Sequence, residues 1–126
     1  MINALFSDSY YVTAKKMLDV SVLRHEAIAS NLANIETPNY KRVDVSTSFE
    51  SQLQTAINSG DSNSVAGLTP QLAVDNSAVS GRADGNSVQL ENELLRMNEN
   101  TVANAAATEM VTEAMARIRM AVTGKS

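Results

Sequence analysis

The chain has 126 residues, enough for one domain, and it contains no Cys, which excludes disulfides and thiolate metal sites. Aromatics make up only 4% and Trp is absent, so Ala, Val, Leu and Met must supply the apolar surface, which suits slender helix–helix packing. The net charge of −4 sits in the middle of the chain, where residues 43–87 carry five acidic groups and one basic; no basic stripe for nucleic acid and no apolar run of about 20 residues for a bilayer is present.

Residues 1–8 read as an irregular lead-in. They have neither a basic n-region nor a long apolar h-region, so no cleaved secretory signal is expected. From about Ser9 to Ile35 the pattern is helical. Tyr11, Ala14, Leu18, Ser21, His25, Ile28, Leu32 and Ile35 follow one another at spacings of three and four, a heptad seam. Met17, Val20, Leu23 and Ala27 widen it. Ser7 or Ser9 is the expected cap. Thr37-Pro38 ends the helix, because proline disfavours the α conformation before it and clashes with the carbonyl four residues back. Pro38-Asn39 then reads as the centre of a turn, with Asn39 tolerating a positive φ.

Residues 43–86 are expected to hold a short helix and a variable, flexible loop. Thr47-Ser48-Phe49-Glu50 has the form of a capping box, and Phe49, Leu53, Ala56 and Ile57 then share one helix side. Residues 58–86 are rich in Ser, Asn, Gly and Asp and read as irregular, with a brief extended piece at Leu72-Ala73-Val74. Asp84-Gly85-Asn86-Ser87 is a turn leading into a second long helix, capped by Asn86 or Ser87 and stopped near Thr123 by Gly124. Its seam is Leu90, Leu94, Met97, Thr101, Asn104, Thr108, Val111, Met115, Ile118 and Val122. The fold class is therefore mainly α. Residues 9–42 and 87–126 each contribute a long heptad helix, paired parallel or antiparallel as a coiled-coil-like hairpin or bundle. The polar seam positions specify register and partner at a cost in stability.

No catalytic, metal or cofactor constellation is visible, and the chain reads as a non-enzyme. His25 is the single histidine and stands on the expected seam, without a positioned second group. Glu91, Glu93, Glu99, Glu109 and Glu113 read as a solvated helix face. Lys15-Lys16 reads as surface charge; Lys41-Arg42 gains interest only from what precedes it.

That preceding stretch is Asn31-Leu32-Ala33-Asn34-Ile35-Glu36-Thr37-Pro38-Asn39-Tyr40-Lys41. It resembles the signature N-L-A-N-x-x-T-P-G-Y followed by Lys or Arg near the N-terminus of flagellar axial proteins, with Asn39 in place of the usual Gly. The chain has no room for the β insertions of the larger members, so it is most similar to the small flagellar basal-body rod proteins. The run from Tyr40 to Val45, and Asp84-Gly85-Asn86-Ser87-Val88 leading into Leu90-Glu91-Asn92-Glu93, extend the likeness. The resemblance implies a structural subunit of the proximal rod, located in the basal body on the periplasmic side and exported without a cleaved signal peptide. It implies no cofactor. The implied partners are further copies of the chain, other rod proteins, membrane-ring junction proteins and the flagellar type III export apparatus. On this reading Asn31, Leu32, Ala33, Asn34, Thr37, Pro38, Asn39, Tyr40 and Lys41 fix how the helix ends and how the loop meets a neighbour. The heptads also support a second reading, a soluble coiled-coil adaptor or secretion chaperone.

Overall fold

A computed structural model describes residues 8–124. The expected lead-in and the Ser7 cap lie, Asp8 apart, outside the described residues. Helix α1 spans Ser9–Ala33, strand β1 Val43–Val45, helix α2 Thr47–Ser59, helix α3 Ser62–Ala66, strand β2 Leu72–Val74 and helix α4 Leu90–Thr123. The molecule is mainly helical, built on the two long terminal helices.

Asp8, rather than a serine, caps α1, its side chain accepting from the Tyr10 N–H at 3.1 Å. The helix stops at Ala33, four residues before Pro38 is reached, with Asn34 as its C-cap. Helix α4 ends at Gly124, whose φ of 66° is the left-handed conformation that glycine adopts without a Cβ penalty.

The two long helices pair antiparallel. Tyr10 lies opposite Glu113, Ser21 opposite Asn100 and Asn104, and Asn31 opposite Glu93. Ala14, Ser21 and Ile28 are buried at seven-residue intervals on α1. Glu93, Asn100, Ala107 and Ala114 are buried at the same interval on α4. Apart from Ile28 these columns are small or polar, so the helices meet through close approach and directed hydrogen bonds. The Asn100 amide donates to the Ser21 carbonyl, and the Asn104 amide to the Ser21 hydroxyl, both at 2.8 Å.

This pairing moves the seam of α4 from the expected one. Met97, Asn104 and Val111 are half-buried and Ile118 is buried. Leu90, Leu94, Met115 and Val122 are exposed, however, and their place against α1 is taken by the column that runs through Glu93. The physical reason is that hydrogen bonds from Asn31 and Arg42 to Glu93, and from Asn100 and Asn104 to Ser21, set the rotation of the helix. On α1, Leu18, Leu32 and Ile35 are half-buried and Ile28 is buried, but His25 is exposed. Its neighbour Arg24 is the residue turned inward, toward Asp44 and Glu50.

The middle of the chain is more structured than its composition implies. Ser46, not Thr47, caps α2, accepting from the Phe49 N–H at 3.5 Å. Phe49, Ala56 and Val65 are buried and form the small core under α2 and α3. Lys16 ties this part to α1 by donating to the Leu68 carbonyl at 2.5 Å. Strand β2 pairs antiparallel with β1, Val43 opposite Val74, Asp44 opposite Ala73 and Val45 opposite Leu72. The expected caps of α4 are also used differently: Gln89 occupies the cap position without a side-chain bond, and Asn86 and Ser87 are buried elsewhere.

Candidate functional site: the junction at the end of the first helix

The end of α1, the turn after it, and the segment before α4 interlock. Thr37 to Tyr40 form a turn closed by the Tyr40 N–H on the Thr37 carbonyl at 3.3 Å. Asn39 takes a φ of 61°, the one positive value among described non-glycine residues. Its N–H donates to the Asp84 carbonyl at 2.8 Å, and the Ser87 N–H donates back to the Tyr40 carbonyl at 3.0 Å. The Arg42 N–H donates to the Ser87 hydroxyl at 2.9 Å. Residues 39–42 and 84–87 thus run side by side, joined by hydrogen bonds.

Asn86 and Asn31 are the two buried hinges of this junction, both fully removed from solvent. The Asn86 amide donates to the carbonyls of Asn34, Ile35 and Thr37 at 2.9, 3.2 and 2.8 Å. Those carbonyls belong to the C-cap and turn that follow α1, so Asn86 braces the turn at the end of the helix from outside. Asn31 acts on the other side. Its amide donates to the Val43 carbonyl at 2.8 Å and accepts from the Val43 N–H at 2.8 Å, as a neighbouring strand would. It also donates to Glu93 at 3.2 Å and accepts from the Tyr40 hydroxyl at 3.3 Å.

Arg42 is the charged centre. Its Nε donates to Glu93 at 2.6 Å, with side-chain exposures of 3% and 1% for the pair. Its other nitrogens reach Asp75 and Asp44. Asp44 is shared with Arg24 at 2.9 Å. Burial acts to raise the pKa of Asp44, but the hydrogen bonds from Arg24 and the Val45 N–H, with the charges of Arg24 and Arg42, outweigh it and hold the carboxyl below its ordinary range. Asp75 is likewise lowered: burial opposes, and the Ser77 hydroxyl, Arg42 and the Ser77 N–H prevail. Arg42 therefore joins β1, the residue after β2 and α4 in a single polar knot, which Arg24 and Asn31 extend to α1, and no buried side-chain N or O among the described residues lacks a partner.

Of the residues expected at this site, Asn31, Asn34, Thr37, Asn39, Tyr40 and Lys41 make the bonds of the junction, Lys41 by donating to the Gly85 carbonyl at 2.9 Å. Leu32 is half-buried; Ala33, Thr37 and Pro38 are exposed. Sequence reasoning missed the parts played by Arg42, Asp44, Asp75, Asn86 and Glu93. Glu93 in particular is not on a solvated face. One signal was available for it: Glu93 and Asn100 share a seven-residue column with Ala107 and Ala114, the column of small residues on α4. Among the described residues, no group of three or more His, Cys, Asp and Glu is placed to hold a metal ion, and no helix is long and apolar enough to cross a membrane.

In sequence, part of the chain is similar to flagellar basal body rod proteins. No family model matches the chain. The particular protein it resembles is FlgB. The chain is 48% identical over 48 residues to FlgB of Borreliella burgdorferi, covering 38% of this chain and 34% of that protein. It is 50% identical over 44 residues to FlgB of Borrelia hermsii, covering 35% and 31%. The matched segment thus spans about a third of the length of either relative.

Proposed function

We propose that the chain is a structural subunit of the bacterial flagellar basal-body rod, of the FlgB kind rather than its small relative FlgC, and not an enzyme. The observation that carries this reading is the near 50% identity to two proteins named as FlgB rod proteins. The fold supports it in a specific way. The junction knots the two long helices together at one end, so each copy offers a stiff antiparallel pair. Meanwhile Leu90, Leu94, Met115 and Val122 remain exposed along α4. A helix with one column bound internally and another free is suited to lateral packing on further helices.

On this reading, copies of the chain and other rod proteins pack helix on helix into a hollow shaft that transmits torque. The chain leaves the cell through the flagellar type III export apparatus, without a cleaved signal, and meets membrane-ring junction proteins on the periplasmic side. The residues from Asn31 to Lys41 act by fixing where α1 stops. Mass spectrometry of purified hook–basal bodies tests this. A few copies per intact particle are expected. Absence from intact particles, with the chain present in the cells, would overturn the rod assignment in favour of a soluble coiled-coil adaptor.

A further inference from the structure

The β1–β2 sheet has one edge closed and one edge open. Hydrogen bonds run from the Asp75 N–H to the Arg42 carbonyl and from the Ser46 N–H to the Gln71 carbonyl, at 2.9 and 2.8 Å. With Asp44 opposite Ala73, the register makes alternate residues the bonded pairs. Val43, between them, must point its backbone away from β2, and there the Asn31 amide covers it. Leu72 and Val74 must by the same parity point their N–H and C=O groups away from β1. No loop, cap or side-chain hydrogen bond among the described residues reaches either backbone. Both side chains are exposed, at 39% and 49%. No Lys, Pro or Gly interrupts the strand, so its three-residue length is the blunting device that it carries. A two-stranded sheet of this length is itself marginal in water.

Beside this edge lies a groove of about 680 Å³, walled by Ala73 to Ser77 on one side and by Arg96, Glu99, Asn100 and Ala103 of α4 on the other. Its charged lining is Asp44, Glu50, Asp75 and Glu99 against Arg24 and Arg96, an excess of carboxylates. Glu50 and Asp75 are bonded to Arg24 and Arg42, while Glu99 makes no ion pair among the described residues. Ala73 stands opposite Asp44, so the Asp44 face of the sheet is the one that looks into the groove.

We infer that the β2 edge and this groove form a docking site for an extended segment of another protein chain, which adds as a third strand and places a Lys or Arg side chain over Glu99. Main-chain bonds to Leu72 and Val74 supply the register, and the acidic groove selects the cationic residue. The inference rests on the sheet and groove alone and does not require the rod assignment.

The test is amide exchange and chemical-shift titration on the isotopically labelled full chain, with the five-residue probe acetyl-Thr-Val-Lys-Val-Thr-amide and its Lys-to-Glu analogue. The lysine peptide is expected to slow exchange at Leu72 and Val74 at least tenfold when saturating, leaving Ala73 unchanged. The Glu analogue is expected to bind at least fivefold more weakly. Glu99→Lys, a change on an exposed helix face, is expected to erase that preference without altering the spectrum of the hairpin. Unchanged Leu72 and Val74 amides would overturn the site. Equal binding of the two peptides, or an unchanged preference in Glu99→Lys, would overturn the assigned chemistry. Protection of both amides without peptide, in a dimer seen by sedimentation, would show that a second copy fills the edge and would also overturn it.

Discussion

Arg42 donates to Glu93 at 2.6 Å across the junction between β1 and α4, with almost no solvent at either side chain. Two such ions gain little net free energy over a well-packed apolar pair, because desolvation offsets their attraction. Leaving one of them alone is another matter. Glu93→Ala is expected to cost about 3–5 kcal/mol, since Arg42 loses its most buried partner and the Asn31 amide loses one of its two acceptors. Arg42→Met together with Glu93→Met is expected to cost less than Glu93→Ala. Urea denaturation followed by circular dichroism measures both, and a double variant weaker than the single one would contradict this account.

Acid should weaken the same knot. Asp44 and Asp75 have folded-state pKa values below the ordinary carboxylate value of about 3.9 in an unfolded chain. Between those values the unfolded chain binds the protons more readily, so stability falls as pH falls. Their contribution is complete above about pH 5 and drains through pH 4 and below. Asp44→Asn and Asp75→Asn are expected to lower stability at pH 7 and to flatten the acid limb, the difference from the parent shrinking as pH falls. An acid limb as steep as the parent's in both variants would show that other carboxylates control it.

Asn39 and Gly85 are a coupled pair of left-handed residues, at φ 61° and 77°. A Cβ placed on Gly85 would run into the Asn39 side-chain oxygen, well inside van der Waals contact. Gly85→Ala therefore meets both backbone strain and a clash, and is expected to cost about 1–3 kcal/mol. Asn39→Gly removes the clashing side chain and is expected to change stability by less than about 1 kcal/mol alone. The two should be non-additive, the double variant recovering a measurable part of the Gly85→Ala cost. Strict additivity in the thermal midpoints would show that strain at Gly85, not the contact, carries the effect.

The parts of this structure that sequence reading reached are those governed by local chemistry. Gly124 stops α4, and the positive φ of Asn39 follows from its place after proline in a turn, whereas α1 already ends at Ala33, before Pro38 can act. The parts it did not reach depend on residues distant in the chain. Asn86 reads in sequence as a cap for α4, yet it braces the turn after the other helix, some fifty residues away. The extended piece at Leu72-Ala73-Val74 is legible and is β2, but its partner β1, three residues with Asp44 inside it, is too short for a period of two to register. The seam of α4 shows the clearest conflict. Apolar periodicity selects the column through Leu94 and Met115, whereas buried hydrogen bonds select the column through Glu93 and Asn100.

That conflict leads to the last prediction. Leu94 and Met115 are exposed at 40% and 44%, so the folded chain spends little of its stability on them. Leu94→Gln with Met115→Gln is expected to shift folding free energy by no more than about 1 kcal/mol, the range of surface substitutions. Under the rod assignment the same pair should sharply reduce incorporation into hook–basal bodies, because glutamine leaves an apolar column without packing partners. Ala107→Leu is the opposing control. It overfills the buried column and is expected to cost about 1–3 kcal/mol in the isolated chain. Quantifying the chain in purified particles beside denaturation curves separates the two effects. Normal incorporation of the double glutamine variant would remove the exposed column of α4 from the assembly surface and leave the hairpin's other faces to provide it.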